Sequence, residues 1–205
     1  MVTVRPGFAA CERDQLAALF WQAFEGKLGK VLRPEPKALA LLAQTLNPNC
    51  ALIARTQEGK ILGGAGIAVD GQSLIEAKFA NLTQHYGLLG TLWRVPLLVL
   101  LDRSPQPGCL TMDGLFVAEE ARGQGVGTAL LSAVQDLAVE RGYKTLRLDV
   151  IDTNPRARAL YERQGFVPQA PQRLGPFAWI FGFSAATPML KSLHSDANPP
   201  PTLTD

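Results

Sequence analysis

The stretch LFVAEEARGQGVGTALLSAVQDLAVERG, residues 115–142, commits this chain to a turn that few folds contain. An apolar, strand-like run leads through Arg122 into glycines at 123, 125 and 127, and a helical pattern begins at once. Ala129, Leu130, Ala133, Val134, Leu137 and Ala138 share one face, and Gly142 is placed to stop the helix. Glycine surrenders the most backbone freedom on folding. Three of them at a helix start therefore imply that something approaches the backbone closely. Exposed N–H groups at the positive end of a helix dipole make such a turn a natural anion seat.

The rest of the chain supplies a sheet for this turn. The opening VTVRPG predicts a short strand. Leu16, Leu19, Phe20 and Phe24 predict a helix that Gly26 and Gly29 close, and KALALLAQTL predicts a second helix ending at Asn47-Pro48. Residues 50–71 read as a hairpin turning at Glu58-Gly59, with Gly63, Gly64 and Gly66 marking a bulge or close backbone contact. CLTMDGLFV, residues 109–117, and YKTLRLDVI, residues 143–151, are strands around the glycine-turn helix. NPRARALYERQGF is a helix with Asn154 as N-cap, Pro155 at the first position and Gly165 at its end. A last strand or pair of strands falls within 166–187. The result is an α/β (α+β) single domain, residues 1–190: a mixed sheet flanked by helices, followed by a polar tail, 191–205, that reads as disordered.

Residues 73–108 interrupt this plan. Leu88–Leu101 is strongly apolar, but it is short of the ~20 residues a membrane span needs and is broken by Arg94 and Pro96. A helical insertion packed on the sheet, a lid over an apolar substrate and a membrane-surface patch all stay open here.

Bulk properties exclude several classes. A formal charge of +2 offers no broad field for nucleic acid. The N-terminal residues have no apolar segment of the secretory kind, and Cys11, Cys50 and Cys109 have no C-x-x-C spacing, so a reduced, cytoplasmic protein is expected. His85 and His194 share no ligand spacing with each other or with a cysteine, so no metal site is expected.

Three anion classes compete for the glycine turn. A nucleotide-hydrolysing loop needs a lysine after its last glycine, and none follows Gly127. A dinucleotide turn needs G-x-G-x-x-G. Counting from Gly123 or Gly125, the third position is Thr128 or Leu130, although Asp149 lies near the distance of a ribose-binding acid. The third class is the pyrophosphate of coenzyme A. RGQGVG at 122–127, joined to LRLDV and NPRARALYERQGF, resembles the GNAT superfamily of acyl-CoA-dependent N-acyltransferases over residues 109–167. The insertion at 73–108 departs from that family's minimal pattern.

The resemblance implies a splayed central sheet and acetyl-CoA as donor to a small-molecule or peptide amine in a ternary complex, with no metal; dimers are common in the family. It implies that Arg122, Gly123, Gln124, Gly125, Val126, Gly127 and Thr128 seat the pyrophosphate. Leu115, Phe116 and Val117 would pair with the pantetheine arm, and an N–H near Phe116 or Val117 would polarise the thioester carbonyl. Asn154, Ala157, Arg158 and Tyr161 would border the arm, with the Tyr161 hydroxyl as proton donor to the leaving thiolate. Asp113, assigned by strand parity to the side of Leu115 and Val117, is the first candidate for general base, and Glu76 the second. Glu119 and Glu120 serve the approach to the helix. Beside these stand plainer readings: Tyr161 as a packing residue, Asn154 as a cap alone, Asp113 as a solvated carboxylate. A non-catalytic acyl-CoA-binding module of the same fold is the alternative from another class.

Overall fold

A hairpin of small residues starts the sheet. β2 (Ala51–Arg55) and β3 (Ile61–Ala68) pair antiparallel, and Gly63, Gly64 and Gly66 in β3 are there because neighbours leave no room for a Cβ. At Gly64 a Cβ would lie 2.7 Å from the Phe116 ring, and at Gly66 2.6 Å from Leu74. The structure, a computed structural model, describes residues 2–101 and 107–193.

Around the hairpin lie β1 (Thr3–Pro6), α1 (Arg13–Leu32), α2 (Glu35–Thr45), α3 (Phe79–Leu101), β4 (Cys109–Val117), α4 (Val126–Glu140), β5 (Thr145–Ile151), α5 (Pro155–Arg163), β6 (Val167–Pro168), β7 (Gln172–Arg173), α6 (Ala178–Phe181) and β8 (Ala185–Ser192). The strands form one sheet in the order β1-β2-β3-β4-β5-β8-β6, with β7 also on β8. Every pairing is antiparallel except β4 with β5.

Each face of the sheet carries its own core. On one face Leu130, Leu131 and Val134 of α4 pack with Leu110, Met112, Leu146, Leu148 and Met189. On the other, Leu16, Phe20 and Trp21 of α1 meet Leu41 and Leu42 of α2, with Ile53, Phe116 and Phe181. Burial of this kind stabilises by about 25 cal/mol per Å² of apolar surface, which explains one departure from the sequence pattern. Gly26 and Gly29 do not end α1, because Val31 and Leu32 beyond them are buried. That burial outweighs the ~1 kcal/mol each mid-helix glycine costs.

The insertion is helical, as expected, and α3 is broken at Gly87, where φ is 71°. The one Lys or Arg within α3 turns inward: Arg94 donates from Nε to Val31 O at 2.7 Å and from Nη2 to Arg33 O at 3.2 Å, between the rings of Tyr86 and Trp93. Tyr86 Oη donates to Leu32 O, so α3 holds three consecutive carbonyls at the end of α1. Among the described residues, no helix is long and apolar enough to cross a membrane. Within the window 166–187 expected for the last strands lie only the two-residue β6 and β7; β8 begins there at Ala185 but runs to Ser192, two residues past the expected domain boundary. His194 and the rest of the expected tail, 194–205, lie outside the described residues.

Candidate functional site

The site begins where two strands part. β4 and β5 pair in parallel from Cys109↔Thr145 to Met112↔Leu148, and there the ladder stops although both strands continue. Beyond it β4 pairs only with β3, through Gly66↔Gly114 to Gly63↔Val117, while β5 pairs with β8, through Asp149↔Pro188 to Ile151↔Ala186. A wedge opens between the strands, and among the described residues no strand pairs with the β5-facing edge of Leu115–Val117. A backbone edge in that state can accept a peptide-like chain. Phe116 anchors the edge from behind: it is buried, edge-on to Phe20 at 5.7 Å. Phe24 of α1 lies over Gly114, where a Cβ would come within 2.7 Å of its ring.

The edge leads into the glycine turn. Ala118 N donates to Leu62 O at 2.8 Å, a 3-10 turn follows over Glu119–Ala121, and α4 starts behind Gly125. Gly123 and Gly125 have φ of 77° and 79°, a conformation that L side chains resist, with open space where a Cβ would stand. The first intrahelical bond is Ala129 N to Gly125 O, so the amides of Val126, Gly127 and Thr128 have no helix carbonyl to donate to, and Gly125 has no side chain to cap them. Gly127 differs from its neighbours: it is helical, and a Cβ there would come 3.1 Å from Leu160 Cδ2. It lets α4 sit against α5. Arg122 is exposed beside the turn. Glu119 and Glu120 are engaged elsewhere, with Gln22 at 3.4 Å and Lys60 at 3.5 Å.

On α5, Asn154 Oδ1 accepts from Ala157 N at 3.1 Å, so the cap is formed, and Arg158 pairs with Glu162 at 2.9 Å. Tyr161 is 7% exposed, within the core that α4 packs into, its ring 6.0 Å from Phe166. Burial pushes its phenol up to about 12. Its hydroxyl makes no hydrogen bond among the described residues.

The two base candidates converge. Asp113 is exposed, and its Oδ2 accepts from Leu74 N at 3.2 Å. The register slips between Gly66↔Gly114 and Ile67↔Met112, leaving Asp113 as the extra residue of a bulge. Parity therefore does not carry from Leu115 back to Asp113. Leu110 and Met112 before the bulge and Leu115 and Val117 after it all face the α4 core, while the Leu74 that Asp113 meets belongs to the α1 core. Glu76 accepts from Asn47 Nδ2 at 2.8 Å and lines an open polar cavity of about 450 Å³ with Arg13, Gln72, Lys78 and Asn81. Cys50 is buried, and burial, then the carboxylates of Asp113 and Glu76, push its thiol up, against the thiolate form that a nucleophile needs. Asp149, considered from sequence only as a ribose acid, directly follows the last β4–β5 pair and accepts from Arg147 Nε at 3.2 Å. It thus stands across the wedge from Asp113. No periodicity could reveal that, because strand order is not a local property. Among the described residues, no group of three His, Cys, Asp or Glu is placed to hold a metal ion.

Comparison with known proteins agrees with this geometry. The profile of the acetyltransferase (GNAT) family matches residues 13–166. Over 54 residues the chain is 39% identical to a thialysine N-epsilon-acetyltransferase of Bos taurus, covering 26% of this chain and 32% of that protein. Over 75 residues it is 39% identical to a mycothiol acetyltransferase of Jonesia denitrificans, covering 37% of this chain and 24% of that protein. The match thus spans about a third or less of these curated relatives. Among solved structures, an N-acetyltransferase from Staphylococcus aureus Mu50 superposes with a TM-score of 0.62 at 14% identity, over 95% of this chain and 99% of that one. A GCN5-related N-acetyltransferase from Kribbella flavida gives 0.60 at 17% identity, over 93% and 97%. Likeness at these identities speaks for the fold.

Proposed function

Because the chain belongs to the acetyltransferase (GNAT) family, we propose that it passes an acetyl group from acetyl-CoA directly to an amine bound at the same time. The observation that carries this reading is the parting of β4 from β5 after Met112↔Leu148, beside the first turn of α4. The residues fit the donor. Three helix amides without acceptors among the described residues and two open positive-φ glycines suit a pyrophosphate, and Arg122 adds charge. The free edge of Leu115–Val117 suits the amides of the pantetheine arm, which Ala157 on α5 would border. The donor supplies an activated thioester carbonyl.

This chain's residues then do the following. An N–H near Phe116 or Val117 stabilises charge as it develops on the carbonyl oxygen. Asp113, or a water that it holds, takes the proton of the attacking amine, with Glu76 as the second candidate. The amine nitrogen bonds to the carbonyl carbon, the carbon–sulfur bond breaks, and the thiolate is met by the Tyr161 hydroxyl. A phenol raised to about 12 keeps its proton across the working range and acts first as a hydrogen-bond donor to that sulfur. The buried Cys50 thiol supports direct transfer without an acyl-enzyme. Asn154 shapes the start of α5, and Arg158, tied to Glu162, borders the arm from outside.

Thiol release from acetyl-CoA, followed with a panel of monoamines, polyamines, amino acids and peptides, tests the reading. Amine-dependent release is expected. Stabilisation by acetyl-CoA without release under any amine would instead make the protein a binding module.

A further inference from the structure

The outward face of α3 is bare. Leu88, Leu89, Leu92, Trp93, Val99 and Leu100 are between 39% and 82% exposed. They stand in two rows: Leu88, Leu92 and Val99, and beside them Leu89, Trp93 and Leu100, at steps of four and seven residues. Such spacing lines one stripe of a helix. We propose that this stripe pairs with the same stripe of a second copy of the chain, α3 against α3 about a two-fold axis.

Two observations favour a second copy over other occupants. The first is size. A side chain at about half exposure leaves roughly 100 Å² bare, so six leave about 600 Å², at the top of what a monomer normally shows. Two-fold pairing covers about twice that, the lower bound of a stable interface. The second is charge. Arg94 is the only charged residue between Phe79 and Leu101, and its guanidinium is turned inward onto the carbonyls of Val31, Gly90 and Arg33. Two copies meeting here bring no like charges together. A helix that lies on a membrane draws its grip on anionic headgroups from basic residues on its polar face, and α3 presents none. Identical stripes meeting across an axis make an isologous, closed contact.

The pairing is tested on the full chain by light scattering after size exclusion, across tens of micromolar. The wild type is expected at twice the chain mass of 22.1 kDa. Leu89→Glu and Trp93→Glu, at exposed positions, are expected to halve that mass and leave the circular dichroism unchanged. Should either variant lose its fold, Leu92→Ser reads the same surface without introducing a charge. A wild type of single-chain mass overturns the proposal. So does a two-chain mass that the folded variants retain, since another surface then forms the contact. Co-sedimentation of a single-chain wild type with phosphatidylcholine–phosphatidylserine vesicles also overturns it, by giving the stripe to a membrane.

Discussion

Met112 and Leu148 are the last residues to join β4 to β5, and Asp113 and Asp149, one step on, belong to strands that have already parted. The bulge at Asp113 turns its carboxylate to the Leu74 amide on the face opposite α4. Asp113→Asn keeps an oxygen for that amide, so the fold is expected to persist. Turnover is expected to fall by about 10²–10⁴, the usual worth of a general base. Glu76→Gln is expected to change the rate far less. Equal losses in the two variants, read by steady-state thiol release, would move the base away from Asp113.

The glycines of the turn separate by conformation. Gly125→Ala must place a Cβ at φ 79°, which costs about 1–2 kcal/mol, and the new methyl enters the open space where the proposed pyrophosphate would sit. Acetyl-CoA affinity is expected to drop about tenfold or more. Gly127→Ala carries no such strain and meets only flexible side-chain ends, Leu160 Cδ2 at 3.1 Å and Leu115 Cδ2 at 3.8 Å, so affinity is expected to stay within a few-fold. Isothermal titration of both variants with acetyl-CoA checks the contrast.

Tyr161→Phe removes a hydroxyl that bonds to nothing among the described residues, so stability and donor affinity are expected to hold. The turnover number is expected to fall at least tenfold. Rapid-quench measurement of a single turnover isolates the step, and an unchanged rate would return Tyr161 to a packing role.

The phenols of buried Tyr161 and half-buried Tyr86 also set an alkaline limit. Burial raises Tyr161 and Tyr86 to about 12, the latter against the opposing Arg94 charge, so the fold favours their neutral forms. Their contribution is complete below the unfolded value of about 10 and is lost as pH rises from there through 12. Urea midpoints are expected to fall over that window. Tyr161→Phe is expected to flatten the fall, and an unaltered slope would contradict the burial argument.

Arg94→Lys is expected to lower stability by about 2–3 kcal/mol, since hydrogen bonds from a charged group are worth about 1.5–3 kcal/mol. A lysine has no planar fork to reach Val31, Gly90 and Arg33 together while stacking on Tyr86 and Trp93. Chemical denaturation reads the loss. A change under 0.5 kcal/mol, the ordinary effect of a surface substitution, would show that the clamp on α1 is incidental.

The glycine turn, the helix behind it and the Asn154 cap were legible in the sequence, because turns and caps are local and each needs particular residue types. So were the strands on either side. What the sequence withheld depends on partners distant in the chain. The end of α1 is set by burial of Val31 and Leu32, against the local signal of Gly26 and Gly29. The bulge that breaks the parity of Asp113 depends on how Gly66 meets Gly114, and the position of Asp149 depends on strand order. Gly127 sits in the glycine motif, yet it is small for the sake of Leu160.

The central claim is that the wedge and the turn behind it seat acetyl-CoA. Amide hydrogen exchange, read by mass spectrometry with and without acetyl-CoA, tests it most directly. Protection is predicted in peptides covering 113–129 and 154–161, with little change over 44–49 and 72–81 around the polar cavity. Protection confined to that cavity, or none along Leu115–Val117 and Gly123–Thr128, would contradict the account.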